Sequence, residues 1–242
     1  MAPRTPLLRP DRYFADREPT FDRGLIVAAL VVVGTLVMVA GLGAVFSAKI
    51  DGTVMVDNPD RPSDQFCDGR MNESFSETNA TFGCDEPAEI ERNIDTIIDD
   101  AMGQFYGPLL VGVPVVLFVV AGLLHLGTAL AGGQGSFGNT LTVAAWGFVP
   151  ALVTMPLAIA ALWVTMDPMT ISQGMEPATF QSTLLGQIEN WTPIALAFNA
   201  VGSLWGAVIW GFGLERGRNV SLIGAAIVSG SVAFLLFVVG LA

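Results

Sequence analysis

An all-α polytopic membrane helix bundle of five transmembrane spans, with a small acidic extracytoplasmic loop subdomain, is the fold class this sequence predicts. Three observations predict it. The 242 residues are 52% hydrophobic and 14% charged, with a mean hydropathy of +0.59, whereas a soluble domain carries about 25% charged residues. The charges are segregated, leaving five apolar runs at about 24–46, 108–130, 140–164, 191–213 and 220–241. The arginines, finally, concentrate in alternate connections between those runs.

Each run approaches or exceeds the ~20 residues that a helix needs to cross ~30 Å of hydrocarbon. None contains Asp, Glu, Lys or Arg, and an ionised side chain at a helix centre would cost roughly 2.5–3.5 kcal/mol on insertion scales. The tail 1–23 carries Arg4, Arg9, Arg12, Arg17 and Arg23, and the connection after the fourth run carries Arg216 and Arg218. Short arginine-bearing segments stay on the cytoplasmic side. This predicts a cytoplasmic N-terminus and, with five spans in a membrane domain 24–242, an extracytoplasmic C-terminus. A signal peptide is the competing reading of the first run. Against it, the charged region before the run is long, and the run exceeds the roughly 7–15 residues of a signal's apolar core.

The outer loop 47–107 holds Lys49, Arg61, Arg70 and Arg92 against fourteen acids. Its Cys67 and Cys84 are the only cysteines, and two cysteines alone on an oxidising face read as one disulfide. Closing that loop of about sixteen residues contributes roughly 3 kcal/mol in the chain-entropy picture; the alternative is two unpaired thiols. Between them Asn72 and Asn79 head N-glycosylation sequons. Asp85-Glu86-Pro87 reads as a helix start, followed by Ile90, Ile94, Ile97, Ile98, Ala101 and Phe105 at helical spacing. An amphipathic helix leading into the second span is expected, lying on the leaflet or packed on its own loop. Phe180, Leu184, Leu185 and Ile188 repeat the pattern more weakly before the fourth span.

His125, the only histidine, falls towards the cytoplasmic end of the second span. With no second histidine and no intramembrane carboxylate, it reads as a hydrogen-bonded packing residue and not as a proton relay. The connection Gly132–Gly138 lacks the lysine of a phosphate-binding loop and reads as a short flexible connector. Pro150, near the middle of the third span, predicts a kink, because proline removes a backbone donor and crowds the preceding turn. Asn199 is expected to be buried near the bilayer midplane and to need a partner there. Gly202 and Gly206 form a GxxxG pair that permits close approach of another helix, within the chain or in self-association.

The net charge is −11, and Lys49 is the only lysine. Such a surface fits a protein facing very salty water; the alternative is an acidic loop with no environmental meaning. Nucleic acid is excluded as a natural partner, the lipid bilayer is required, and no metal-ligand, nucleophile or cofactor constellation is present in the sequence.

Three stretches carry a resemblance: Leu7-Leu8-Arg9-Pro10-Asp11-Arg12-Tyr13-Phe14 before the first span; His125-Leu126 with the linker containing Gly133 and then Thr140-Leu141; and Ala144-Ala145-Trp146-Gly147-Phe148-Val149-Pro150. Over most of its length the chain resembles the YIP family of Ypt/Rab-interacting membrane proteins, whose pattern is a soluble N-terminus followed by five closely set spans. The acidic loop with its cysteines is longer than the family's usual first connection. The resemblance implies a non-enzymatic protein with no cofactor, acting in membrane organisation or protein interaction. Eukaryotic members bind Rab-type GTPases. The halophile reading makes this chain a prokaryotic relative, to which that binding is not carried over. Two other classes stay open: a small-molecule or ion transporter with its path near Pro150, Asn199 and His125, and an accessory or sensor subunit that binds an extracellular partner through loop 47–107.

Overall fold

The computed structural model describes residues 4–67, 83–171 and 177–240. Along the chain run helix α1 (Pro10–Asp16), α2 (Phe21–Lys49), strand β1 (Ile50–Asp57), the short α3 (Asp64–Cys67), β2 (Glu89–Asn93), α4 (Ile94–Leu130), α5 (Phe137–Phe148), α6 (Ala151–Thr165), β3 (Met169–Ile171), α7 (Pro177–Arg218) and α8 (Leu222–Val239). Five helical segments are long and apolar enough to cross a membrane: α2, α4, α5 with α6 as one broken span, α7 and α8.

Helix α5 is the hub. It packs on α2, α4 and α7, and its residues Thr140 to Ala145 are all buried, as a helix surrounded by others requires. The break that ends it falls where proline predicts. Pro150 has no N–H, and the chain turns through short i→i−3 bonds: Val149 N–H to the Trp146 carbonyl at 3.2 Å and Leu152 N–H to the Val149 carbonyl at 3.0 Å. Pro108, Pro114, Pro156 and Pro193 are carried inside continuous helices. Several helix hydroxyls bond back to the preceding turn, as Thr35 does to the Val31 carbonyl at 2.9 Å, which pairs a donor that would otherwise face an apolar surround.

The two ends of the bundle differ. At one lie the N-terminal segment, the connection 131–136 and the turn after Arg218; the Gln134 N–H donates to the Arg218 carbonyl at 2.7 Å. At the other, β1 is the centre of a three-stranded sheet in the order β2-β1-β3, antiparallel to β2 and parallel to β3. Val45, Ile50, Ile94, Leu162, Met166 and Ile171 form a separate core there, joining the sheet to the helix ends. Lys49 rests its ammonium over the Trp163 ring at 5.1 Å, a cation–π contact at the same end.

Two expectations are corrected. The helix start at Asp85–Pro87 does not form: Ile90 lies in β2, paired with Val56. The helix begins at Ile94, where the Asn93 side chain accepts from the Asp95 N–H at 3.0 Å. The helical spacing of the isoleucines was real from Ile94 onward, but Glu89–Asn93 found an edge on β1 that periodicity alone does not reveal. Second, the loop between the first two spans contributes two strands to a sheet, which no single strand announces because a strand is stabilised by its neighbours. The N-terminal segment, whose packing the sequence left open, lies against the bundle: Pro6, Pro10, Tyr13 and Phe14 are buried.

Candidate functional site

The N-terminal segment descends along α7. Pro6 is fully buried, and Pro10, Tyr13 and Phe14 are buried on one side of α1. These apolar residues at i, i+3 and i+4 form one face of a short helix. Tyr13 meets Phe14 at 5.1 Å and Trp146 at 5.5 Å between ring centroids, both edge-on. The Trp205 indole N–H donates to the Leu7 carbonyl at 2.7 Å, so an indole of α7 satisfies a backbone group of a segment with few neighbours of its own. Trp210 donates to the Ala144 carbonyl at 3.1 Å and stacks its edge on Phe148.

Next to this groove lies a buried arginine. Arg218, the last residue of α7, is 2% exposed. Its Nε donates to the Thr128 hydroxyl at 3.1 Å, and its terminal nitrogens donate to the carbonyls of Gly135 and Gly133. Two helix C-termini, those of α4 and α7, converge on the guanidinium, and their partial negative charge helps offset its own. The connection 131–136 is therefore a shaped clamp and not the flexible connector expected. Gly132 and Gly135 hold φ of +83° and +115°, and a Cβ on Gly133 would sit 2.7 Å from the Thr128 carbonyl oxygen.

One turn further in, His125 Nδ1 and the Thr140 hydroxyl are 3.0 Å apart, and the imidazole edge meets the Phe137 ring at 5.5 Å. Asn199 is not the buried group expected. It is exposed and accepts from the Ser203 hydroxyl at 3.3 Å, one turn along the same helix. It also lies beside Gly240, just past the end of α8. The close approach allowed by Gly202 and Gly206 is made within the chain: a Cβ would meet Thr154 Oγ1 at 2.9 Å at the first and the Gly147 carbonyl at 2.5 Å at the second.

At the sheet end, Cys67 and Cys84 form a disulfide with Cα atoms 5.5 Å apart; Asn72 and Asn79 lie outside the described residues. A cleft of about 560 Å³ opens between α2 and α4 nearby, lined by Ala40, Ser47, Asp95, Asp99, Met102 and Tyr106 among others. Among the described residues no group of three His, Cys, Asp or Glu is placed to hold a metal ion.

The structure thus brings Phe14 and Trp146 into one cluster with Pro10 buried on the same helix as Phe14, puts Gly133 on the Arg218 clamp and Pro150 at the break. The family model for the Yip1 domain matches residues 5–242, which take in the docked segment and all five candidate spans. The chain belongs to the Yip1 family. No curated protein and no solved structure matches it. In this Yip1-family chain the sequence did not reveal Thr128 as a site residue, nor the hydrogen-bonding roles of Arg218 and Thr140, nor the burial of Tyr13. The available signals were an arginine closing an apolar run, hydroxyls inside two spans, and an apolar triplet inside a charged tail.

Proposed function

We propose that this Yip1-family protein is non-enzymatic and acts by organising the membrane or by binding membrane partners. We place the docked N-terminal segment and the Arg218 clamp on the cytoplasmic side. One observation carries the reading: His125, Arg218, Trp205 and Trp210 all spend their hydrogen bonds on their own chain. Groups committed in this way hold a shape and do not turn over a substrate. A second reading, a sensor or accessory subunit, draws on the outer cleft with Asp95 and Asp99. Self-association would need a surface other than Gly202 and Gly206, which face inward.

Orientation is tested with a reporter active only outside the cytoplasm. It should work when fused after Ala242 and fail when fused after Gly217; the reverse pattern would reject the placement. The mode of action is tested by crosslinking in native membrane alongside flux into proteoliposomes. Crosslinked partners without flux are expected. His125→Gln keeps a polar group of similar reach but removes titration between about pH 5 and 8, so this variant should fold and crosslink like the parent. A proton-coupled uptake by the parent that disappears in His125→Gln would establish the transporter instead.

A further inference from the structure

Helix α8 fixes where the bilayer lies. It is the shortest span, carries no charge, and exposes Leu222, Ile223, Ile227, Phe234, Leu235, Val238 and Val239 along its whole length. Its start follows Arg218 and its end lies beside Asn199. On α7 those two residues are nineteen apart, about 28 Å at ~1.5 Å per residue, which matches the hydrocarbon thickness of ~30 Å. The N-terminal segment enters this layer. Pro19 lies against Gly217, Phe14 against Gly213, and the Leu7 carbonyl takes the Trp205 indole proton. Trp205 is thirteen residues from Arg218, so Leu7 sits about 20 Å below the start of the apolar belt. Residues 5–19 are a re-entrant element.

At that depth other surface helices turn apolar side chains outward: Val33 and Val37 on α2, Val115 and Val119 on α4, Phe234 and Leu235 on α8. The N-terminal segment instead exposes Arg4, Arg9, Asp11 and Arg12, with Leu8 88% exposed between them. Among the described residues the three arginines make no hydrogen bond or ion pair, and with Asp11 they leave the deep end of the segment a net charge of +2 (three minus one), while Asp16, Arg17 and Glu18 beside Pro19, at the start of the belt, add a net −1 (one minus two). An unpartnered guanidinium in hydrocarbon is too costly to persist; it reaches for the headgroup layer or draws that layer in. Its planar fork matches a phosphate bidentately. A second copy pairing through the same face would bring like charges together.

We propose that Arg4, Arg9 and Arg12, held within the membrane by the re-entrant segment, bind the phosphates of anionic phospholipids and draw them into a notch in one leaflet. Leu8 contacts the acyl chains beside them. The binding follows from the depth of the segment and holds whichever face of the membrane it occupies, so its failure and that of the proposed orientation are distinguishable.

The test is native mass spectrometry of the full chain in mild detergent carrying equal phosphatidylglycerol and phosphatidylcholine. The parent should retain phosphatidylglycerol several-fold over phosphatidylcholine. Arg9→Gln/Arg12→Gln should lose most of that preference, while Arg92→Gln at the sheet end should keep it. Arg9→Lys/Arg12→Lys keeps charge without the fork and should fall between, which covers the case of a double glutamine variant that does not fold. Equal retention of the two lipids by the parent would overturn the proposal. So would a dimer of the parent that dissociates in the double variant, since a second copy would then cover the face.

Discussion

Arg218→Met is expected to destabilise the protein by about 3 kcal/mol, the cost of leaving a hydroxyl and two carbonyls without their charged donor. Methionine keeps the length and much of the volume, so packing is largely preserved and the loss isolates hydrogen bonding. For a chain of this size that is a fall of about 6–12 °C in the unfolding midpoint in detergent. Arg218→Lys should fall by less, because an ammonium on a flexible stem cannot serve Thr128, Gly133 and Gly135 at once. Thr128→Val removes one acceptor and should cost about 1 kcal/mol. A Met variant that melts within about 2 °C of the parent, under 1 kcal/mol on the same scaling, would show that the clamp does not hold the α4–α5 and α7–α8 connections together.

Gly206→Ala should lower stability by about 2 kcal/mol even though alanine is the better helix former. The added methyl would stand 2.5 Å from the Gly147 carbonyl oxygen. That atom is backbone in the buried helix α5, so α7 itself must move away. The movement also disturbs Trp210, which lies directly over Gly147 and donates to the Ala144 carbonyl. Gly122→Ala supplies the contrast, since nothing lies within 4 Å of its added methyl; it should be neutral or stabilising. Thermal unfolding of the two variants side by side measures the difference. Equal midpoints would mean that α5 and α7 are not packed as closely as these glycines indicate.

These effects arise from contacts between segments far apart in the chain, and they mark the limit of what the sequence makes legible. The five spans, the break at Pro150 and the candidate pairing of Cys67 with Cys84 were readable because each depends on a property carried locally. Span length and freedom from charge belong to one segment. Proline acts on the turn before it, and two cysteines in one loop have no other partner. The GxxxG pair was readable as a site of close approach, but not which helix would approach.

Only the tertiary structure decided where the polar groups went. Asn199 reads as buried because its run is apolar, whereas in α7 it faces outward and pairs with Ser203 on its own helix. Glu89–Asn93 looked helical until β1 offered an edge. Arg218 looked like a marker of orientation, and only the meeting of two helix ends shows it as a buried clamp. The N-terminal segment shows the difference most sharply. Its arginines read as a cytoplasmic tail because charge is scored residue by residue. Its burial is set by Pro6, Pro10, Tyr13 and Phe14 fitting a groove made of Trp146, Trp205 and Leu214. Insertion into a bilayer is close to a sum over one segment's residues, and the sequence determines it alone. The partner that a buried side chain meets depends on every other segment at once, and the fold determines that.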